Sequence, residues 1–174
     1  MTAGAASKIL AYRWLLGLAV TVFVCDQITK AWIASHLEFG TYFPPDSINV
    51  VTGFFRIVHV GNTGAAWGMF AGKSIWLAAL ALVTLGAIFL FRRHLELRRL
   101  VIQVSFGLLC GGIVGNLVDR LLHGHVVDFL LFYVGRYEWP AFNVADAAIC
   151  TGVGLYLLQT FLERKSPLPE TETN

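Results

Sequence analysis

Two aspartates stand where acids are expensive. Asp128 lies in V-V-D-F-L-L-F and Asp146 in F-N-V-A-D-A-A-I, both beside or inside segments apolar enough to enter a bilayer. A carboxylate at the centre of a membrane helix costs about 2.5–3.5 kcal/mol on insertion scales, so an intramembrane acid marks a functional position and needs a partner. The best partner for each acid is the other. Two adjacent carboxyls that share one proton can do the work of an aspartic protease. One takes a proton from water, while the other, protonated, hydrogen-bonds the scissile carbonyl and supports the oxyanion. Like charges close together cannot both ionise cheaply, so such a pair titrates as a unit. Eighteen positions separate the two acids, and only the fold can bring them together.

Other polar residues fall in patterns that could support that chemistry. Asp26 and Lys30 are spaced i, i+4 with the acid first, the favoured order for a structural ion pair. Asn62, in G-N-T-G-A-A, could cap a short helix or contact a substrate backbone. Gly107, Gly111 and Gly115 recur every four residues, the small-residue pattern that lets membrane helices approach closely. Beside that stripe, Gly112, Asn116, and Asp119 or Arg120 share one helical face. Arg120 can reach the interface, and Asp119 next to it reads either as a local ion pair or as part of a substrate contact. Asn143, after Pro140, is a natural N-cap with Asp146 at the third helical position, a capping box within reach of the helix dipole. The dipole acts on one acid and desolvation on both, a difference that could help two carboxyls divide one proton.

Other chemistries find little support. The chain has no H-E-x-x-H, no G-x-S-x-G and no C-x-x-C. His123 and His125 with Asp128 could coordinate a metal in principle, but histidines at an interface are more often simply solvated. Cys25, Cys110 and Cys150 all fall in apolar stretches and read as small buried hydrophobes.

The elements that must position these residues follow from composition. The 174 residues are 56% hydrophobic and 14% charged, with a mean hydropathy of +0.66, against roughly 25% charged in soluble domains. A net charge of +2 is too mild for a nucleic-acid partner, and the basic residues gather at presumed membrane edges. Four windows are long and apolar enough to span a bilayer: residues 14–35, 74–91, 100–122 and 143–161. Lys8 and Arg13 before an apolar run imitate a signal peptide, but Asp26-Gln27-Ile28-Thr29-Lys30 follows with no small-residue cleavage site, so the segment reads as the first helix. Lys8, Arg13, Arg92, Arg93, Arg98, Arg99, Arg164 and Lys165 fall on one side, against Arg56, Lys73 and Arg136 on the other, which makes both termini cytoplasmic.

Residues 36–73 and 123–142 then lie outside. The first carries two strand-like runs around Thr52-Gly53, a small hairpin platform, followed by a short interfacial helix near Trp67, Met69 and Phe70. The second carries Phe129, Phe132, Tyr133, Tyr137, Trp139 and Phe142, which match an interfacial aromatic belt. The tail 166–174 reads as disordered. The expectation is a mainly α membrane protein, a single domain over 1–174, with four transmembrane helices, an outer β-hairpin and a short interfacial helix.

Five motifs coincide in order on these spans: D-Q-I-T-K at 26–30, G-N-T-G-A-A at 61–66, G-G-I-V-G-N-L-V-D-R at 111–120, V-V-D-F at 126–129 and F-N-V-A-D-A-A-I at 142–149. From about residue 14 to about 163 the chain closely resembles the bacterial lipoprotein signal peptidases, or signal peptidase II. The resemblance implies an intramembrane aspartic endopeptidase of the bacterial cytoplasmic (inner) membrane. Such an enzyme removes signal peptides from prolipoproteins, cutting just before a cysteine that carries a diacylglyceryl group. It places the catalytic pair on Asp128 and Asp146, supporting polar residues on Asn62, Asn116, Arg120 and Asn143, close approach on Gly112, and support of the first helix on Asp26 and Lys30. It also implies no metal or cofactor, and inhibition by globomycin-type antibiotics at the substrate site. The partners are then lipidated prolipoproteins and membrane lipid, with substrate entering sideways from the bilayer and the outer segments covering the site.

Two other classes compete. A transporter or proton pathway would need a polar route to both sides, yet 80–91 and 152–158 carry no acid or base. A membrane assembly subunit would use the glycine stripe and would not need the two aspartates intact.

Overall fold

The computed structural model describes residues 11–164. Four helices are α1 (Arg13–His36), α2 (Ser74–Phe91), α3 (Leu100–His123) and α4 (Val144–Arg164); strands β1 (Ile48–Val51) and β2 (Phe55–Asn62) lie between α1 and α2, and β3 (Val126–Val134) and β4 (Tyr137–Glu138) between α3 and α4. All four helices are long and apolar enough to cross a membrane, and their ends fall within three residues of the sequence expectation. The tail 166–174, Lys8 and Lys165 lie outside the described residues.

Helix α3 is the hub, and its glycines are why. A Cβ at Gly107 would meet the Leu15 carbonyl oxygen at 2.9 Å, and one at Gly111 would meet that of Ala19 at 2.6 Å, so the stripe seats α1 directly on the α3 backbone. The opposite face receives α4: a Cβ at Gly152 would meet the Ser105 oxygen at 2.6 Å. Without water to drive apolar surfaces together, close packing of small residues is what holds membrane helices. Helix α2 packs mainly along α3 and exposes Leu80, Leu82, Val83, Phe89 and Leu90. On a spanning helix that face meets lipid.

The strands form one antiparallel sheet in the order β1-β2-β3-β4 at the end of the bundle where α1 and α3 finish and α2 and α4 begin. The expected hairpin is present, with β1 and β2 joined through residues 52–54. The segment 123–142, read from the sequence only for its aromatic residues, supplies β3 and β4. Its run V-V-D-F-L-L-F-Y-V is buried on both faces over Val126–Phe129, and that continuous apolarity hides the strand alternation. Ile33 of α1 and Leu37 just after it pack with Val127 and Phe129, fixing the sheet to the bundle.

Two smaller expectations change. The interfacial helix is one 3-10 turn, Ala66–Gly68, interrupted by left-handed Trp67 (φ 56°). Cys25 and Cys150 are exposed and Cys110 is half-buried. Cys25 lies on a helix face turned away from the packed interior and Cys150 on the face of α4 that lines a cavity, both apolar surroundings in which a thiol can stay.

Candidate active site

Asp146 owes its position to a helix start. Asn143 caps α4: its Oδ1 accepts the Asp146 N–H at 2.9 Å, and Asp146 Oδ2 accepts the Asn143 N–H at 3.3 Å. This is the reciprocal capping box read from the sequence, with Asp in place of Glu. Asp128 owes its position to strand register. Pairing of Val60 with Asp128 and of Asn62 with Val126 makes Asn62 and Asp128 diagonal neighbours on one face. Asn62 Nδ2 donates to Asp128 Oδ2 at 2.9 Å.

Asn143 joins the two acids. Its Nδ2 donates to Asp128 Oδ1 at 2.7 Å, while its backbone N–H reaches Asp146. Asn116 Nδ2 donates to Asp146 Oδ1 at 2.7 Å, and Asn116 Oδ1 accepts from Asn143 Nδ2 at 3.2 Å. Each carboxyl therefore receives two N–H donors from a shared asparagine network. Asp128 is 2% exposed, and burial pushes its pKa up to about 7. The nearby negative Asp146 adds to that rise, and the amides of Asn62 and Asn143 and the Lys30 charge oppose it.

Beneath this pair lies a buried charge cluster. Lys30 Nζ contacts Asp26 Oδ2 and Asp119 Oδ2, each at 2.8 Å, and donates to Asn116 Oδ1 at 3.0 Å. The Asp26–Lys30 pair thus forms as read, but Asp119 joins it rather than Arg120. Asp119 points into the bundle, where it also accepts the Val127 N–H at 3.1 Å. Arg120 turns the other way and donates to the Gly64 carbonyl at 3.0 Å. Asn62 caps no helix. Its Oδ1 accepts the Gly64 N–H at 2.9 Å, closing an Asx turn that aims its amide at Asp128. His125 packs against Phe39 at a ring distance of 5.1 Å, and amides occupy both oxygens of Asp128.

A cavity of about 620 Å³ opens between α2, α3 and α4. Its polar wall is Asn62, Asn116, Arg120 and Asp146, and its apolar wall includes Leu77, Leu80, Ile113, Ile149 and Cys150. Trp67 and Trp139 meet edge to face at 5.0 Å, joining the 36–73 and 123–142 segments where both line the cavity. Asp146 faces the cavity, and Asp128 stands behind Asn62. Gly112 is where α4 comes closest: a Cβ there would run into the Ala145 carbonyl oxygen and meet Ile149 Cγ1 at 2.8 Å.

Gln27 also belongs to the cluster: its Nε2 donates to Asp119 Oδ1 at 3.0 Å and to Asp26 Oδ2 at 3.2 Å. Its place between Asp26 and Lys30 in D-Q-I-T-K is the one signal of this in the sequence. The Trp67–Trp139 contact has no such signal, since 72 positions separate the two rings.

Comparison with known proteins gives one answer. The signal peptidase (SPase) II family pattern matches residues 18–162. A lipoprotein signal peptidase from Azoarcus sp. (strain BH72) is 46% identical over 149 residues, covering 83% of this chain and 80% of the relative. One from Pseudoalteromonas atlantica (strain T6c) is 41% identical over 150 residues, covering 84% and 88%. A bacterial membrane enzyme solved by the in meso method at 2.3 Å resolution aligns with a TM-score of 0.78 at 34% identity, covering 92% of this chain and 94% of that one.

Proposed function

The chain belongs to the signal peptidase II family, and from that premise we propose that it is an aspartic endopeptidase whose dyad is Asp128 and Asp146. Its substrates are bacterial prolipoproteins, cut just before the diacylglyceryl-modified cysteine. The observation that carries this reading is Asn143, one residue hydrogen-bonded to both carboxyls.

Roles follow from surroundings. Asp146 faces the cavity and takes the proton from the attacking water. Asp128, its pKa pushed up to about 7, is protonated in a large fraction of molecules near neutral pH, and that form donates its proton toward the scissile carbonyl. Asn62 now occupies Asp128 Oδ2, the place a substrate carbonyl would take. Once displaced, its amide is free to bind the substrate backbone. Asn116 and Asn143 hold the carboxyls, and Arg120 braces the Gly64 loop.

The cavity suits a lipidated substrate. Its apolar wall between α2 and α4 accepts acyl chains and signal helix from the side, while its polar wall receives the peptide. Globomycin-type inhibitors occupy the same space. The sheet lies at the end opposite Arg92, Arg93, Arg98 and Arg99, which supports an outward site with cytoplasmic termini in the inner membrane.

The test is to incubate purified enzyme with a prolipoprotein before and after diacylglyceryl modification and determine the new N-terminus. Cleavage just before the modified cysteine is expected. Equal cleavage of both forms, or cleavage elsewhere, would overturn the reading.

A further inference from the structure

The buried cluster below the dyad does more than pair charges. Two carboxylates and one ammonium leave one net negative charge at a place where Asp26 is 0%, Asp119 2% and Lys30 4% exposed. Stability alone is a poor reason to keep such a group, since buried ion pairs can often be replaced by apolar residues at no loss. Its hydrogen bonds point to another role. Asp26 Oδ1 accepts the N–H of Ala145 at 2.9 Å, the residue before Asp146. Asp119 Oδ2 accepts the N–H of Val127, the residue before Asp128. Each acid of the cluster thus holds the peptide group next to one acid of the dyad.

Lys30 joins these two holds. Its three ammonium protons have three acceptors, Asp26, Asp119 and Asn116 Oδ1. The third contact fixes the amide of Asn116. With Oδ1 turned to Lys30 and to Asn143 Nδ2, the NH2 end must face Asp146, where it lies at 2.7 Å.

We propose that Lys30 is a positioning residue for peptide hydrolysis: its ammonium locks together the carboxylates that hold Ala145 and Val127, and orients Asn116 toward Asp146. This rests on the dyad reading. None of Lys30, Asp26 and Asp119 lines the cavity, so losing the lock should lower kcat and leave KM nearly unchanged.

Lys30→Met alone leaves two uncompensated buried acids and tests folding as much as positioning. The informative variant is Lys30→Met with Asp119→Asn, which keeps the cluster's single negative charge. Purified full-length double variant, assayed on a diacylglyceryl-modified prolipoprotein, is expected to lose roughly ten- to hundredfold in kcat, with KM within about threefold. A role limited to charge balance predicts kcat near that of wild type, and that result would overturn the proposal. Amide hydrogen exchange on the wild-type enzyme gives a second measurement independent of variant folding. Slow exchange at Ala145 and Val127 is expected, and exchange as fast as in the Thr52–Phe54 turn would also overturn it. Asp146→Asn assayed alongside separates the two failures. If that variant is dead while the double variant keeps wild-type kcat, only the role of Lys30 falls; if it still cleaves, the dyad reading falls and this one with it.

Discussion

Gly112→Ala sets two opposed effects against each other. Alanine is worth about 1 kcal/mol more than glycine inside a helix, whereas an extra carbon in a packed site costs about 1–3 kcal/mol. At Gly112 the added Cβ would strike the Ala145 carbonyl oxygen, and Ile149 Cγ1 lies at 2.8 Å. Backbone cannot rotate aside as the end of a side chain can, so the start of α4 must retreat by about 1 Å to restore ordinary contact. Ala145 precedes Asp146, so the retreat carries one carboxyl away from Asn116 and Asn143. Misplacement by about 1 Å can cost about a hundredfold in rate. Gly107→Ala is the matched control, since it meets the Leu15 carbonyl at 2.9 Å but lies more than a helical turn farther from the site. Gly154→Ala is the open control, with nothing within 4 Å. Cleavage of lipidated prolipoprotein should fall about a hundredfold in Gly112→Ala, fall less than about fivefold in Gly107→Ala and hold in Gly154→Ala. Thermal midpoints should drop in the first two. Equal loss of activity in the Gly107 and Gly112 variants at matched stability would refute the argument.

Further outcomes follow from the same geometry. With its folded pKa raised to about 7, Asp128 contributes stability that is fully present below its ordinary carboxylate range and is lost as pH rises through about 7. On the proposed roles kcat/KM should decline over the same upper range, and an alkaline limb absent near neutral pH would contradict this. Crosslinking residues 62–72 to the 123–142 segment, through paired cysteines at Trp67 and Trp139 in a background lacking native cysteines, should block turnover. Unchanged activity would show that these segments need not part. Asn62→Ala should fold normally and lose about tenfold in kcat/KM, since it removes one of the two side-chain donors to Asp128 and, on the proposed roles, a substrate contact; wild-type kinetics would remove Asn62 from the site.

Much of this was legible because some residue types leave few choices. Apolar windows of about 20 residues are long enough to span, a Gly-x-x-x-Gly stripe suits close approach of another helix, and Asn143 three residues before Asp146 suits a cap. The Asp26–Lys30 pair was legible for the same reason, being local. Strand β3 was not, because burial on both faces erases the alternation that marks a strand. Without β3 there was no register to set Asn62 beside Asp128, and the role of Asn62 stayed open. Asp119 reads from the sequence either as a local ion pair with Arg120 or as part of a substrate contact, yet consecutive helical residues point about 100° apart, and its partner is Lys30 on another helix. Local spacing fixes local geometry, and contacts between elements wait for packing.

The central claim is that Asp128 and Asp146 act as one unit, and single Asp→Asn substitutions test it most directly. Asparagine keeps the size and much of the hydrogen bonding but cannot take or share the proton. Each variant, shown to be folded by retained thermal stability, should cleave a diacylglyceryl-modified prolipoprotein at least about a thousandfold more slowly than wild type, because groups that act as a unit fail together. Turnover within about tenfold of wild type in either folded variant would contradict the account.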